Sequence, residues 1–235
     1  MTVLYIHEVH EVVGRREDDF EAAFRDGWMQ MLAKDDDARL LWFMHHVHGT
    51  GPAYNVVTVT AVRDGAAWER LVHRLQRGDL AQWQTDVDAM RHGVTSSVMI
   101  PVPFSPLQEV DFATVPTTPQ DNEPVVYMED TGWPHASLID YIDFWGRGYY
   151  EPMAARPKEG RLLDIELVFQ PAYGAGRRKE AVLWQRVLDN NLLLTLLTKD
   201  TPPELKQPGM FMHEALAYRD TWRSRLLRTA RWSPR

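Results

Sequence analysis

The chain has 235 residues, 44% of them hydrophobic and 25% charged, with a net charge of -7 and no cysteine. That length and apolar content suffice to bury a core in one large domain or two small ones. The negative balance disfavours general nucleic-acid binding, and the lack of cysteine excludes disulfides, thiolate nucleophiles and thiolate-bound metals.

The opening MTVLYIHEVHEVV has no basic segment ahead of a long apolar run, so it does not read as a secretory signal. Because no stretch approaches eighteen apolar residues, the sequence predicts a soluble, cytoplasmic protein without a membrane partner. A strand is expected over 3–13. A helix follows over 17–33, where Phe20, Phe24, Met31 and Leu32 approximate one face. Two strand-like runs, 40–48 and 55–62, flank GTGPAY, a Gly/Pro turn suited to a hairpin. A second helix over 66–90 offers Trp68, Leu71, Leu75 and Leu80 to a core, and a strand over 97–103 completes the order β-α-β-β-α-β, the ferredoxin-like unit. The segment SPLQEVDFATVPTTPQDNEP has no helical period and reads as a linker.

The second half repeats the first. At a shift of 122 positions Val3, Tyr5, Arg25, Trp28 and Met31 fall on Val125, Tyr127, Arg147, Tyr150 and Met153, and Arg39-Leu40-Leu41 on Arg161-Leu162-Leu163. Two three-residue insertions then bring 57–64 onto 182–189, Arg91 onto Arg219 and Phe104-Ser105-Pro106 onto Trp232-Ser233-Pro234. Strands are expected over 125–131, 162–170, 181–188 and 225–232. A helix is expected over 138–154, and the prolines at 202, 203 and 208 split the second helical region into a short helix, a loop and a helix over 210–222. The predicted layout is a first repeat over 1–106, a linker over 107–124 and a second repeat over 125–235.

Two such units look like the dimeric α/β-barrel superfamily with both protomers on one chain. The opening strand LYIHEVHEV, the aromatic-bearing first helix and the hairpin after it most resemble NIPSNAP-type proteins. The fold class expected is therefore α+β, tandem ferredoxin-like repeats forming an intramolecular dimeric α/β barrel. The resemblance implies a ligand cavity, but it covers cofactor-independent monooxygenases, cyclases, isomerases and haem proteins alike, so it fixes no reaction.

Strand alternation supplies candidate site residues. In LLDIELVFQ one face is Leu163, Ile165, Leu167 and Phe169, expected to pack on helices, and the other is Asp164, Glu166, Val168 and Gln170. The corresponding face of the first repeat, at the 122 shift, is Trp42, Met44, His46 and His48. The first strands add Tyr5 and His7, and Tyr127 and Glu129. Imidazoles facing carboxylates suit general acid–base work. His7, His46, Asp164 and Glu166 are the catalytic candidates, with Tyr5, Trp42, Met44, His48, Tyr127 and Glu129 binding substrate. The competing reading places the same residues on a solvated strand face.

Other patterns are weaker. His46 and His48, with His7 or Glu166, have the residue types of a metal site but no specific spacing. His92, His135 and His213 are the candidates for an axial haem ligand, each outside any motif. The C-terminal RDTWRSRLLRTARWSPR reads as a strand with solvated arginines. GTGPAYN and AYGAGRR are hairpin turns, not phosphate loops. The sequence thus predicts an enzyme without an organic cofactor, performing proton-transfer chemistry on a small apolar, aromatic or polyketide-like molecule. A haem protein or a non-catalytic binding protein is the alternative. The state expected is a monomer or a homodimer.

Overall fold

The structure, a computed structural model, describes residues 3–173 and 178–235. Part of the AYGAGRR turn therefore lies outside the described residues. The chain divides into two compact units. The first contains the residues up to Ile100, Gln108–Val126 and Leu226–Arg235, and the second contains Pro101–Leu107 and Tyr127–Arg225.

In the first unit β1 (Leu4–Val12) pairs antiparallel with β3 (Asn55–Val62) on one side and β4 (Arg91–Pro101) on the other. β2 (Ala38–His46) lies beyond β3, and its far edge takes the end of β8, Met44 opposite Thr229 and His46 opposite Leu227. Thr229 also bonds Val125 in both directions, N–H to carbonyl at 2.9 Å and hydroxyl from the Val125 N–H at 2.8 Å. These bonds tie 108–126 and the last ten residues to the first unit.

The helices cover one face. α1 (Glu17–Ala22) and α2 (Met29–Leu32) are joined by a π-helical stretch, Ala23–Trp28, so the expected helix over 17–33 carries a wider turn in its middle. The helix expected over 66–90 is two: α3 (Gly65–Arg77) and α4 (Ala81–Asp88). Asp64 caps α3 by accepting from the Ala67 N–H at 2.9 Å. Gly78 makes the break, since a Cβ there would sit 2.8 Å from the Cα of Arg74. Phe20, Phe24, Leu32, Leu40, Phe43, Val56, Leu71 and Val87 fill the space between helices and sheet.

The second unit repeats the plan. β5 (Val126–Trp133), β7 (Ala181–Val187) and β6 (Leu163–Pro171) run in that order, all antiparallel. α5 (Leu138–Trp145) and α6 (Glu151–Ala154) again flank a π-helical stretch, Gly146–Tyr150. α7 (Asn190–Thr198) and the four-residue α8 (Phe211–Glu214) occupy the remaining helical positions. The helix expected over 210–222 is cut short because β8 (Thr221–Thr229) begins there, earlier than expected. Among the described residues no helix is long and apolar enough to cross a membrane.

Candidate functional site

Two β-bulges decide which side chains share a face. β2 gains a residue between Leu40 and Trp42, and β6 gains one between Ile165 and Leu167. A bulge adds a residue and reverses the alternation beyond it. Trp42 pairs with Val59, Val59 with His7 and His7 with Ser97, so these form a row on the face turned away from the helices. Tyr5 and Met44 lie on the same face, and both are fully buried. The first-unit candidates Tyr5, His7, Trp42, Met44 and His46 are thus brought to one face. His48 is not: the strand ends at His46, and His48 stands exposed in the turn that Gly49 makes at φ 80°.

In the second unit the expected alternation is corrected. By strand register the counterparts of Trp42 and Met44 are Leu167 and Phe169, because the offset has already grown to 125 positions at β6. Leu167 and Phe169 are fully buried on the Trp184 side, while Ile165 and Val168 pack on the helices. Asp164 is held by Lys158 at 2.5 Å and Arg161 at 3.3 Å, beside the end of α6. Glu166, the bulge residue, accepts from the Tyr127 hydroxyl at 2.8 Å. Glu129 is wholly buried; it meets Arg225 at 2.6 Å and accepts from the Trp184 indole at 2.9 Å. Asp164 therefore does not join Glu166, Tyr127 and Glu129.

The cavity with the chemistry lies on the other face, between sheet and helices of the first unit. It encloses about 240 Å³. Ile6, Val98, Val72 and Leu75 give it apolar walls, and Phe24, Trp28, Trp68 and Trp83 give it aromatic ones. Trp28 and Trp83 stack at 4.3 Å and 14°, and each is pinned, Trp28 by donating to the Thr60 hydroxyl and Trp83 by donating to the Ala23 carbonyl. The π-helical stretch carries Phe24 and Trp28 into this position. Trp68, 38% exposed, stands at the mouth.

Into this apolar space project Glu8, Arg91, Ser96, Thr60 and Gln84. Glu8 and Ser96 are cross-strand neighbours, and the serine hydrogen-bonds the carboxylate. Burial pushes the Glu8 carboxyl above its usual range; Arg91 and the Ser96 hydrogen bond pull against that shift without cancelling it. Behind it, Arg91 donates to Nδ1 of His10 at 2.7 Å and grips Asp88 with its other nitrogens. Since Nδ1 accepts, Nε2 carries the proton and donates to Thr58 at 3.0 Å. Burial first, then the Arg91 charge, holds His10 well below its usual range, so it is a neutral imidazole fixed in one tautomer. The arrangement is an aromatic slot ending in a carboxylic acid of raised pKa, which is suited to proton transfer.

Glu8 is not among the residues that strand alternation points to, since it lies on the face opposite Tyr5 and His7. The signal was present: in Leu4, Ile6, Glu8, His10, Val12 the helix-facing alternation is apolar except for two polar residues, and such interruptions need partners.

No protein-family model matches the chain, and neither does any curated protein. Solved structures do. A proposed monooxygenase from Fusobacterium nucleatum superposes with a TM-score of 0.59 at 9% identity, covering 97% of this chain and 92% of its own. An anthrone oxidase-like protein gives 0.58 at 6% identity over 97% and 91%. The chain has the dimeric α/β-barrel fold. A proposed chlorite dismutase shares this dimeric α/β-barrel architecture, with a TM-score of 0.54 at 8% identity over 99% and 97%. NIPSNAP proteins also match, over less than half of this chain. At these identities the likeness establishes the fold alone.

Haem, the alternative cofactor expected from the sequence, does not fit the cavity in the first unit. No imidazole, thioether or phenol lines it to serve as an axial ligand, and 240 Å³ is far below what a porphyrin of roughly forty non-hydrogen atoms occupies. Among the described residues no group of three or more His, Asp or Glu side chains is placed to hold a metal ion.

Proposed function

We propose that the chain is an enzyme that transfers protons to and from a small planar aromatic ketone or phenol, without an organic cofactor. The observation that carries this reading is the partly buried Glu8 carboxyl at the end of a slot walled by Phe24, Trp28, Trp68 and Trp83. A cavity of 240 Å³ holds on the order of ten to fifteen non-hydrogen atoms at about 20 Å³ each, the size of a two- or three-ring molecule. Flat aromatic walls select a flat occupant, and the polar groups converge at one end to orient it.

In this scheme the Glu8 carboxylate takes a proton from a carbon flanked by aryl rings. The resulting carbanion is spread over the rings and the ketone oxygen. The likeness to proposed monooxygenases and an anthrone oxidase-like protein suggests dioxygen as the partner of that carbanion. For an anthrone the carbanion adds dioxygen, Glu8 returns its proton to give a hydroperoxide, and loss of the second C–H proton with O–O cleavage releases water. One CH₂ becomes C=O and one dioxygen becomes one ketone oxygen and one water. Ser96 holds the carboxylate in place, and the Arg91–His10–Thr58 chain fixes the charge behind it.

The test uses anthrone as the probe, followed by oxygen uptake, quinone absorbance and quenching of tryptophan emission. Glu8→Gln keeps the shape and removes the proton acceptor. It should lower the rate at this cavity by about 10²–10⁴-fold, so total turnover falls by at least half while quenching persists. Wild-type turnover in E8Q refutes the role of Glu8. A Soret band that forms stoichiometrically on adding haemin supports the haem alternative instead.

A further inference from the structure

The polar groups of the first-unit cavity have counterparts in the second unit, position by position. Register places Asp130 at the position of Glu8, since Glu8 pairs with Thr58 and Asp130 with Leu183, the residue 125 places on. Ser224 stands where Ser96 does and Arg219 where Arg91 does, both at an offset of 128. The contacts are repeated too. Ser224 hydrogen-bonds Asp130, as Ser96 does Glu8, and Arg219 acts on Asp130 as Arg91 does on Glu8. Gln185, at the Thr60 position, donates to Asp130 at 2.8 Å.

The aromatic wall is rebuilt with different residues. Tyr149, on the second π-helical stretch, stacks on Phe211 at 4.8 Å, as Trp28 stacks on Trp83, and its hydroxyl donates to Gln185 as Trp28 donates to Thr60. His10 is replaced by Gly132, and a Cβ there would fall 2.2 Å from the Tyr141 hydroxyl. That hydroxyl occupies the space of the missing imidazole, and the Arg219 charge acts on it without a formed hydrogen bond.

Packing alone does not ask for this. Partly buried carboxylate, serine and arginine groups cost solvation that apolar residues would not, and two repeats sharing so little sequence had every opportunity to lose them. We propose that the second unit holds its own proton-transfer site, built on Asp130, Ser224, Gln185 and Tyr149, that takes the same planar aryl ketones or phenols as the Glu8 cavity. Asp130 and Tyr149 are both partly exposed and so open to a ligand. Burial pushes the Asp130 carboxyl up to about 6, against the pull of Ser224 and Arg219, so its proton exchanges near neutrality.

This inference rests on the function proposed for the Glu8 cavity, and the experiment separates the two. Native mass spectrometry and calorimetric titration of the wild-type chain with anthrone count the ligands bound. Turnover is then measured for Glu8→Gln, Asp130→Asn and the double variant. The expected results are two ligands per chain, roughly half of turnover left in each single variant, and a 10²–10⁴-fold loss in the double. One ligand per chain, or an E8Q variant already as slow as the double, overturns the second site and leaves the first standing. A wild-type chain that neither binds nor turns over anthrone removes the function proposed for the first cavity. The wild-type stoichiometry decides the question even if D130N does not fold.

Discussion

Glu129 and Arg225 approach to 2.6 Å with side chains 0% and 5% exposed, and Trp184 donates a second bond to the same carboxylate. Replacing Arg225 with Met keeps the stem and removes the charge. The Glu129 carboxylate then stays buried without its nearest counter-charge, or it takes up a proton. Neutralising a carboxylate at pH 7 costs about 1.4 kcal/mol for each pH unit above its ordinary titration range, roughly 3–4 kcal/mol in all. That agrees with the 3–5 kcal/mol typical of breaking a buried ion pair by removing one partner. For a chain of this size the midpoint of thermal unfolding should fall by about 6–20 °C. The double variant E129L/R225M removes both charges and should recover most of the loss, since apolar replacement of a buried pair is often neutral. Differential scanning calorimetry and urea titration at pH 7 and pH 5 measure both. The cost in R225M should shrink at pH 5, where protonation is cheap. A loss below about 1 kcal/mol, or a double variant no better than R225M, refutes the reasoning.

Two further outcomes are expected. Gly132→Ala drives a methyl into the Tyr141 hydroxyl and should cost about 1–3 kcal/mol, read by urea denaturation; an unchanged midpoint means Tyr141 moves aside freely. Asp130 is held at about 6 in the folded chain, above its unfolded value, so this group binds more protons folded than unfolded between about pH 4 and pH 6, and its contribution to stability is lost as pH rises through that window. In Asp130→Asn that contribution should be missing, so the difference between the two stability–pH curves should change by the Asp130 amount across this window, and curves that run parallel count against a raised Asp130.

The strand and helix order was largely readable because apolar periods of two and near four survive in both halves. The run 55–62 was placed to the residue, since Asn55-Val56-Val57 and Val62 are bounded by turn residues on both sides. What the sequence concealed follows from single residues. The bulge at Leu41 was invisible and harmless, because Trp42 and Met44 still fell on one face. The bulge at Glu166 was invisible and consequential, since it puts Leu167 and Phe169 opposite Trp184 and Val182, where strict alternation places Glu166 and Val168. Neither Leu41 nor Glu166 has a local signature, as bulges are fixed by the neighbouring strand. Glu8 was legible in principle, as a charged residue in an otherwise apolar row, but its worth depends on Arg91 and Ser96, more than eighty residues away.

The π-helical stretches at Ala23–Trp28 and Gly146–Tyr150 also bear on the history of the chain. A single-residue insertion into a helix is seldom acquired twice at matching places, so the simplest lineage has it present in an ancestor half this length. The two halves then inherited an aromatic-bearing coil with the same wider turn. What diverged afterwards was the cast of side chains, tryptophan and histidine in one descendant and tyrosine in the other.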